Sequence, residues 1–136
     1  MQITRQADYA LRTVLHLVRI GKEQRASTSQ IARQQGIPNS FLAKIISQLS
    51  IAGILLTSRG AHGGVSLARP ADEITLLEVV EAIDGPIWLN DCVNNSAVCT
   101  FGETCPLHLI WCEVHGELVS RLRNTTFGQV IAAERS

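Results

Sequence analysis

Four cysteines lie in the second half of this 136-residue chain, where their thiolates could bind a soft metal centre. They are Cys92, Cys99, Cys105 and Cys112, separated by six, five and six residues. None of these gaps is the two-residue spacing that is typical of zinc ribbons and thioredoxin-like dithiols. Because an irregular loop can wrap around a large cluster, the first three cysteines predict a metal site, and the spacing leaves zinc and iron–sulfur centres both open.

The fourth ligand of such a site has three candidates. Cys112 lies about 10 Å beyond Cys105 along a predicted helix, and we interpret it as a buried core cysteine. His108 lies one helical turn after Cys105 and can face the same site; the alternative is a histidine that is packed or solvated. Asp8, in the first predicted helix, can reach the site only from a partner subunit; the alternative is a favourable interaction with the N-terminal end of its own helix.

Helical periodicity and capping residues predict helices over most of the chain. Ser27 and Gln30 have capping-box spacing, and Thr4, Thr75 and Thr126 are suited to cap further helices. Residues 87–104 show no sustained period. The predicted helices run from about Thr4 to Ile20, Ser27 to Gly36, Ser40 to Ala52, Thr75 to Ile83 and Pro106 to Arg123, with a short final turn after Thr126.

The second and third of these helices meet at a glycine turn, which is the helix-turn-helix pattern. Two strand-like runs, Ile54 to Thr57 and Val65 to Ala68, follow and flank the glycine-rich segment 58–64. They predict a hairpin, and a hairpin directly after a helix-turn-helix makes a winged helix; the alternative is an ordinary surface hairpin. The inward face of the third helix is predicted to consist of Phe41, Leu42, Ile45, Ile46 and Leu49.

Charge is divided between the two halves of the chain. Residues 1–70 carry nine basic and two acidic side chains, whereas residues 71–136 carry three basic and ten acidic ones. The basic half favours a polyanion partner, although two solvated faces that attract each other would give the same counts. With a winged helix, whose tip arginine suits a narrow minor groove, this half predicts double-stranded DNA as the partner. The candidate contacts are Ser40 and Lys44 on the third helix, and Arg59, Gly60 and His62 at the wing tip.

A long apolar stripe runs along the last long helix. Because the N-terminal unit leaves little surface to cover it, a second copy of the same helix is the expected partner; the alternative is a helix folded back on its own domain. The fold class is then mainly α with a small β-wing: a winged helix-turn-helix domain (1–84), a cluster-binding loop (85–105), and a dimerisation helix with a C-terminal helical turn (106–136). The stripe consists of Leu107, Ile110, Trp111, Val114, Leu118 and Leu122.

Several other classes of protein are disfavoured. The chain has no apolar run near the ~18 residues of a membrane span, and residues 1–6 do not resemble a signal peptide. We therefore expect a cytoplasmic protein without membrane association, in which the cysteines are reduced thiols or metal ligands. The sequence contains no redox dithiol, phosphate loop or nucleophile–base motif, so we do not expect an enzyme.

These features together resemble the Rrf-type family of winged-helix iron–sulfur transcriptional regulators, over almost the whole chain. The cysteine triplet in combination with the wing is the most specific part of the resemblance. The matching segments are Ile3-Thr4, Asp8-Tyr9-Ala10-Leu11-Arg12, Arg59-Gly60-Ala61-His62-Gly63-Gly64, Leu67, Pro70-Ala71, the helix Leu77 to Ile83, the triplet Cys92, Cys99 and Cys105, and Thr126.

The resemblance implies a homodimeric transcription factor with one iron–sulfur cluster per subunit, whose operator affinity responds to redox state, nitric oxide or iron–sulfur status. In IscR-like members a histidine three residues after the third cysteine completes a [2Fe-2S] site, and His108 holds that position. In NsrR-like members an aspartate from the first helix of the other subunit completes a [4Fe-4S] site, and Asp8 holds that one. Some relatives lack a cluster, so the alternative is a thiol- or zinc-dependent dimeric regulator of the same fold.

Overall fold

The computed structural model of the chain describes residues 2–61, 63–94 and 104–136. His62 and Cys99 lie outside the described residues, as does the side chain of Cys92. The fold that we predicted, mainly α with a small β-wing, is confirmed. The elements are α1 (Arg5–Ile20), α2 (Thr28–Gln35), α3 (Asn39–Ile51), β1 (Leu55–Ser58), β2 (Gly64–Leu67), a 3-10 turn (Ala71–Glu73), α4 (Leu76–Asp84), α5 (Asp91–Asn94), α6 (Pro106–Arg123) and α7 (Phe127–Arg135).

Four helices, α1, α2, α4 and α7, begin at the predicted capping residues. The Thr4 hydroxyl accepts a hydrogen bond from the Ala7 amide at 3.0 Å, at the start of α1. Ser27, Thr75 and Thr126 each form a complete capping box at the starts of α2, α4 and α7. A cap of this kind stabilises a helix by ~1 kcal/mol, because it satisfies N–H groups that have no partner within the helix. The short helix α5 is an addition to the predicted elements.

Helix α1 lies at the centre of the core. Its Ala10, Val14 and Leu17 are at most 1% exposed, and α1 contacts α2, α3, β2, α4 and α7. A second apolar cluster joins Ala7 of α1 to α4 and to the second half of α6. One helix therefore connects the helix-turn-helix, the wing and the C-terminal helices.

The wing is an antiparallel hairpin of β1 and β2 in which Leu55 pairs with Leu67. Both of these leucines are buried, so the hairpin is anchored on the core. Ala26, just before α2, adds a bridge to Val65, with N···O distances of 2.9 and 2.8 Å. The wing is thus held from two sides, by its own pairing and by the segment that leads into the helix-turn-helix.

Two glycines at the end of the wing are required by the chain's own backbone. A Cβ atom at Gly63 would lie 2.3 Å from the Ser58 carbonyl oxygen. One at Gly64, where φ is +146°, would lie 2.9 Å from the Ala26 carbonyl oxygen. Neither contact leaves room for a side chain, so these glycines allow the close approach that the hairpin and the Ala26 bridge need.

The inward face that we predicted for α3 is confirmed at four positions and is wrong at one. Leu42, Ile45, Ile46 and Leu49 are buried. Phe41 is 42% exposed, and its ring centroid lies 6.3 Å from that of Tyr9 in α1. One residue turns a helix by ~100°, which places Phe41 at the edge of the buried face rather than within it.

The apolar stripe of α6 divides into two parts. Leu118 and Leu122 are half-buried and pack against the apolar cluster that contains Leu77 and Val80 of α4, which agrees with the alternative of a helix folded back on its own domain. The second half of α6 therefore packs on α4. Neither α6 nor any other helix in the described part of the chain is long and apolar enough to cross a membrane.

The C-terminal segment forms a nine-residue helix, which is longer than the short turn predicted for it. Phe127 and Ile131 of α7 are 2% and 6% exposed, and both belong to the main core. Arg19 of α1 and Glu134 of α7 form an ion pair on the surface above them. Helix α7 therefore packs on the same core as α1.

Stability should depend on pH through His16, which is 7% exposed. Burial lowers the pKa of His16 below its ordinary value of 6.5, and the nearby charge of Arg19 lowers it further. Protonation therefore favours the unfolded chain, and stability is lost as the pH falls below about 6.5 toward the folded-state pKa. We expect the free energy of unfolding in urea to fall more steeply from about pH 7 to 5 in the wild type than in His16→Gln. Equal slopes in the two proteins would contradict this expectation.

Candidate DNA interface and metal centre

The outward face of α3 is polar and carries one basic side chain. Ser40, Lys44 and Ser47 are exposed and recur at intervals of four and three residues, so they lie along one line of the helix. The opposite face of α3 is fixed in the core. Ser40 and Lys44 therefore project from the second helix of the helix-turn-helix on its free side, as a groove-binding helix requires.

The wing tip presents Arg59 and Gly60, both of which are exposed. The tip is closed by a hydrogen bond from the Gly63 amide to the Gly60 carbonyl at 3.0 Å, with φ of +100° at Gly60. Arg59 directly follows the paired strand β1, so its backbone is held while its side chain stays in solvent. His62, the remaining predicted contact at this tip, lies outside the described residues.

The basic side chains of these two elements are not neutralised by described residues. Within residues 2–61, 63–94 and 104–136, Lys44 and Arg59 take part in no ion pair. Exposed, unpaired charges of this kind can bind phosphate with release of counterions. The ion pairs in that part of the chain are Arg12–Asp8, Arg19–Glu134 and Arg69–Glu78.

Arg12 connects the candidate ligand Asp8 to the helix-turn-helix. Its Nη2 lies 3.0 Å from Asp8 Oδ2, and its Nη1 donates to the Gln35 carbonyl at 2.9 Å. Gln35 is the last residue of α2, so this bond satisfies a carbonyl that the helix itself leaves free. The guanidinium also lies 5.0 Å from the centroid of the Tyr9 ring, and that ring contacts Phe41 of α3. Sequence reasoning did not find these links, which join α1 to the end of α2 and to α3.

The first turns of α6 carry three sulfur and nitrogen donors on one side. Cys105 is the N-cap residue of α6 and accepts a backbone hydrogen bond from the His108 amide at 3.0 Å. His108 Nε2 lies 3.5 Å from Cys112 Sγ. His108 Nδ1 is buried and finds no hydrogen-bond partner among the described residues. Cys112 is half-buried in the single chain, whereas we interpreted it as a buried core cysteine.

Helix α5, which contains Cys92, packs against α6. At the start of α5, the Val93 amide donates a hydrogen bond to Asn90 Oδ1 at 3.2 Å. Within the described residues no three His, Cys, Asp or Glu side chains are gathered closely enough to hold a metal ion. The donor set of the first turns of α6, with a buried imidazole nitrogen that lacks a partner, nevertheless suits a soft or borderline metal.

The chain leading into α5 is fixed to α6 by His115. Its Nε2 donates to the Ile87 carbonyl at 2.7 Å, and its ring stacks on Trp88 with centroids 5.2 Å apart and planes at 14°. Ile87 itself belongs to the second apolar cluster. These contacts fix the position of the start of the cysteine-bearing segment relative to α6. Sequence reasoning did not find them, because His115 and Ile87 are 28 residues apart in the chain.

The first half of α6 leaves an apolar face uncovered by the described residues. Leu107, Ile110, Trp111 and Val114 are 55%, 50%, 38% and 40% exposed. Their spacing places them on one side of the helix, in line with Leu118 and Leu122 further along α6. The structure thus keeps four of the six residues that we predicted for this stripe free for another surface.

Comparison with known proteins identifies relatives over nearly the whole chain. A family profile described as "Rrf2: Iron-dependent Transcriptional regulator" matches residues 3–133. Protein aau3 of Rhizobium meliloti (strain 1021) is 36% identical over 109 residues, which are 79% of this chain and 70% of that protein.

Two solved structures share the fold. CymR of B. subtilis, described as its global cysteine regulator, matches with a TM-score of 0.85 at 23% identity, over 98% of each chain. IscR of T. potens matches with a TM-score of 0.78 at 20% identity, over 98% of this chain and 88% of that one. At these identities the likeness establishes the winged-helix architecture.

Proposed function

The chain belongs to the Rrf2 family of transcriptional regulators, and we propose that it binds operator DNA as a homodimer whose affinity is switched by an iron–sulfur cluster. As a member of this family it is a DNA-binding regulator rather than an enzyme. The observation that carries the finer proposal is the buried, unpartnered Nδ1 of His108, three residues after Cys105 at the start of α6.

DNA binding would use α3 and the wing together. Lys44 and Arg59 are exposed and unpaired among the described residues, so each is available for a phosphate or a groove. Ser40 lies one turn before Lys44 and adds a hydroxyl donor on the same side. In a two-fold dimer the two α3 helices must lie about one turn of DNA apart, ~34 Å, or a multiple of it.

The homodimer would be formed by the exposed apolar face of α6. That face is continuous over Leu107, Ile110, Trp111 and Val114, and a two-fold axis would pair it with itself. An apolar helix face with an aromatic side chain at its centre is typical of the buried part of an interface. Because the second half of α6 is anchored on α4, the dimer axis would be fixed relative to α3 and the wing.

The cluster would be held by Cys92, Cys99, Cys105 and His108, with Asp8 of the partner subunit as the alternative fourth ligand. When bound, a [2Fe-2S] or [4Fe-4S] cluster supplies a redox- and nitric-oxide-sensitive link between the thiolates of the 85–105 segment and α6. His108 fits this role because its buried Nδ1 has no other described partner. His115 holds the start of the same segment through Ile87.

Coupling to DNA would run through the contacts between α1 and the helix-turn-helix. Asp8 is exposed, so a partner subunit can reach it, whereas Arg12 is half-buried and bound to the end of α2. In the alternative in which Asp8 binds the partner's cluster, Arg12 would lose its carboxylate, and the side chain that donates to the Gln35 carbonyl would be positioned by one contact fewer. A switch needs a coupling free energy of ~1–3 kcal/mol between the two sites, which is the size of one charge-assisted hydrogen bond.

Zinc- or thiol-dependent regulation is the second candidate. Cys105 and His108 lie one helical turn apart at the start of α6, and thiolate and imidazole are ligands that zinc prefers. A zinc site would tie the same segment to α6 without redox chemistry. The two candidates differ in colour and in metal content.

The proposal is tested on the full chain purified without oxygen. We expect a brown protein that contains iron and acid-labile sulfide, and that binds an operator selected from a random DNA pool. Operator affinity should change at least ~5-fold after the cluster is removed with a chelator and oxidant or treated with nitric oxide. A colourless, zinc-loaded protein would support the second candidate, and an iron–sulfur protein with unchanged affinity would exclude the switch.

The wing and α3 predict two different effects on DNA binding. We expect Arg59→Ala to weaken operator binding by ~1–3 kcal/mol, because a groove contact is lost. Lys44→Ala should make the slope of log affinity against log salt concentration shallower by about 0.9, which corresponds to the loss of one phosphate contact. Fluorescence anisotropy at several salt concentrations measures both effects, and Arg135→Ala in α7 serves as a charge-matched control. If both variants keep wild-type affinity and salt dependence, the DNA interface lies elsewhere.

A further inference from the structure

His108 has two ring nitrogens in different surroundings. Nε2 lies 3.5 Å from Sγ of Cys112, one helical turn further along α6. Nδ1 is buried and has no hydrogen-bond partner among the described residues. Since residues four apart on a helix lie on the same side, the contact between the imidazole and the thiol is built into α6 itself.

The two nitrogens have different hydrogen-bonding roles. A neutral imidazole has one N–H donor and one lone pair, and each must be satisfied when it is buried. If Nδ1 carried the proton, a buried N–H would face no described acceptor. If Nε2 carries it, the N–H donates to the Cys112 sulfur, and the lone pair of Nδ1 is left for a metal. The contact with Cys112 fits the Nε2–H tautomer, in which the sulfur accepts; in the other tautomer the Cys112 thiol would donate to Nε2, and Nδ1 could not bind a metal.

We propose that Cys112 is a positioning residue that orients His108 for metal binding through Nδ1; this inference rests on the proposed cluster-binding function. Histidine ligands of metals usually donate their second N–H to a carboxylate, a carbonyl or a water, and the thiol of Cys112 takes that place here. Cys112 itself is not a ligand, because helical rise carries it about 10 Å along α6 from Cys105.

The role of Cys112 has measurable consequences for the cluster. Loss of the hydrogen bond frees the ring to rotate and lowers the basicity of the ligating nitrogen. We expect Cys112→Ala to keep the cluster, to release iron to a chelator about 10-fold faster, and to raise its reduction potential. Cys112→Ser retains an acceptor and should restore part of both properties. Val119→Ala, also half-buried on α6, is the control for a general loss of packing.

The ligating atom is identified by selective labelling. Protein grown with histidine that carries ¹⁵N only at Nδ1 is purified without oxygen and reduced with dithionite, and its cluster is measured by pulsed electron paramagnetic resonance. We expect a strongly coupled, directly bonded ¹⁵N that persists in Cys112→Ala with an altered coupling. A strongly coupled ¹⁴N would place the iron on Nε2, and the inference would be wrong.

The remaining outcomes separate this inference from the proposed function. A wild-type protein that holds a cluster but shows no strongly coupled nitrogen would exclude His108 as the ligand and leave the cluster switch intact. A cluster whose iron release and potential are the same in the wild type and Cys112→Ala would also overturn the inference alone. A wild-type protein that contains no iron and no sulfide would overturn the proposed function, and the inference with it.

Discussion

The double variant Ile110→Glu, Val114→Glu is expected to be a folded monomer. In one chain these side chains are 50% and 40% exposed, and neither belongs to a core cluster. In the proposed dimer they are buried, so each subunit would place two unpaired carboxylates in an apolar interface. We expect the dimer dissociation constant to rise at least ~1000-fold, measured by sedimentation, with unchanged helix content by circular dichroism.

Leu109→Glu provides the matched control for this variant. Leu109 is 65% exposed and also lies in the first half of α6. It is turned from Ile110 by ~100° and from Val114 by ~140° around the helix axis, so it should lie outside the interface. We expect Leu109→Glu to remain dimeric and to bind the operator normally. A stable dimer from the double variant would show that the interface lies elsewhere.

Helix starts and the wing were predictable because their causes are local. Thr4, Ser27, Thr75 and Thr126 each bond to a backbone group within three residues, and such a cap is visible in the sequence. The hairpin follows from strand-forming runs on both sides of the glycine segment. The fold class rested on these local patterns, and the family resemblance rested also on the cysteine triplet; both are confirmed.

The division of the α6 stripe could not be predicted, because periodicity gives the face of a helix but not what covers it. Leu107 and Leu118 are the same residue type and belong to the same predicted stripe, yet only Leu118 packs against the apolar cluster that contains residues of α4. The deciding contacts connect residues far apart in the chain, such as His115 with Ile87. They fix the angle at which α6 leaves the domain, and with it the part of the stripe that stays exposed.

The sequence predicted which residues belong to the candidate site, whereas the structure adds the orientation of their side chains. The spacing of Cys105 and His108 follows from one helical turn, and the structure agrees. The contact of His108 with Cys112, the unpartnered Nδ1, and the link from Asp8 through Arg12 to Gln35 depend on rotamers and on packing between elements. Capping and periodicity carry no information on these features.

Alanine at Cys92, Cys99 or Cys105 is expected to abolish the cluster. The methyl group of alanine cannot bind iron in place of a thiolate. Each variant should therefore purify colourless, with less than about a tenth of the wild-type iron and sulfide. Cys112→Ala is the matched control, because it removes a thiol from the same region and should retain the cluster. Metal and sulfide analysis of protein purified without oxygen measures this. A brown Cys99→Ala protein with full iron content would exclude the proposed ligand set.

The fourth ligand is decided by comparing His108→Ala with Asp8→Ala. We expect His108→Ala to change the visible and electron paramagnetic resonance spectra, since an imidazole next to Cys105 suits iron better than a carboxylate does. Asp8→Ala should leave both spectra unchanged, because its carboxylate pairs with Arg12 at 3.0 Å. That variant should instead alter DNA affinity, because Arg12 would hold the Gln35 carbonyl without its counter-charge. Spectra that change in Asp8→Ala and not in His108→Ala would reverse the assignment and make the partner subunit's carboxylate the ligand.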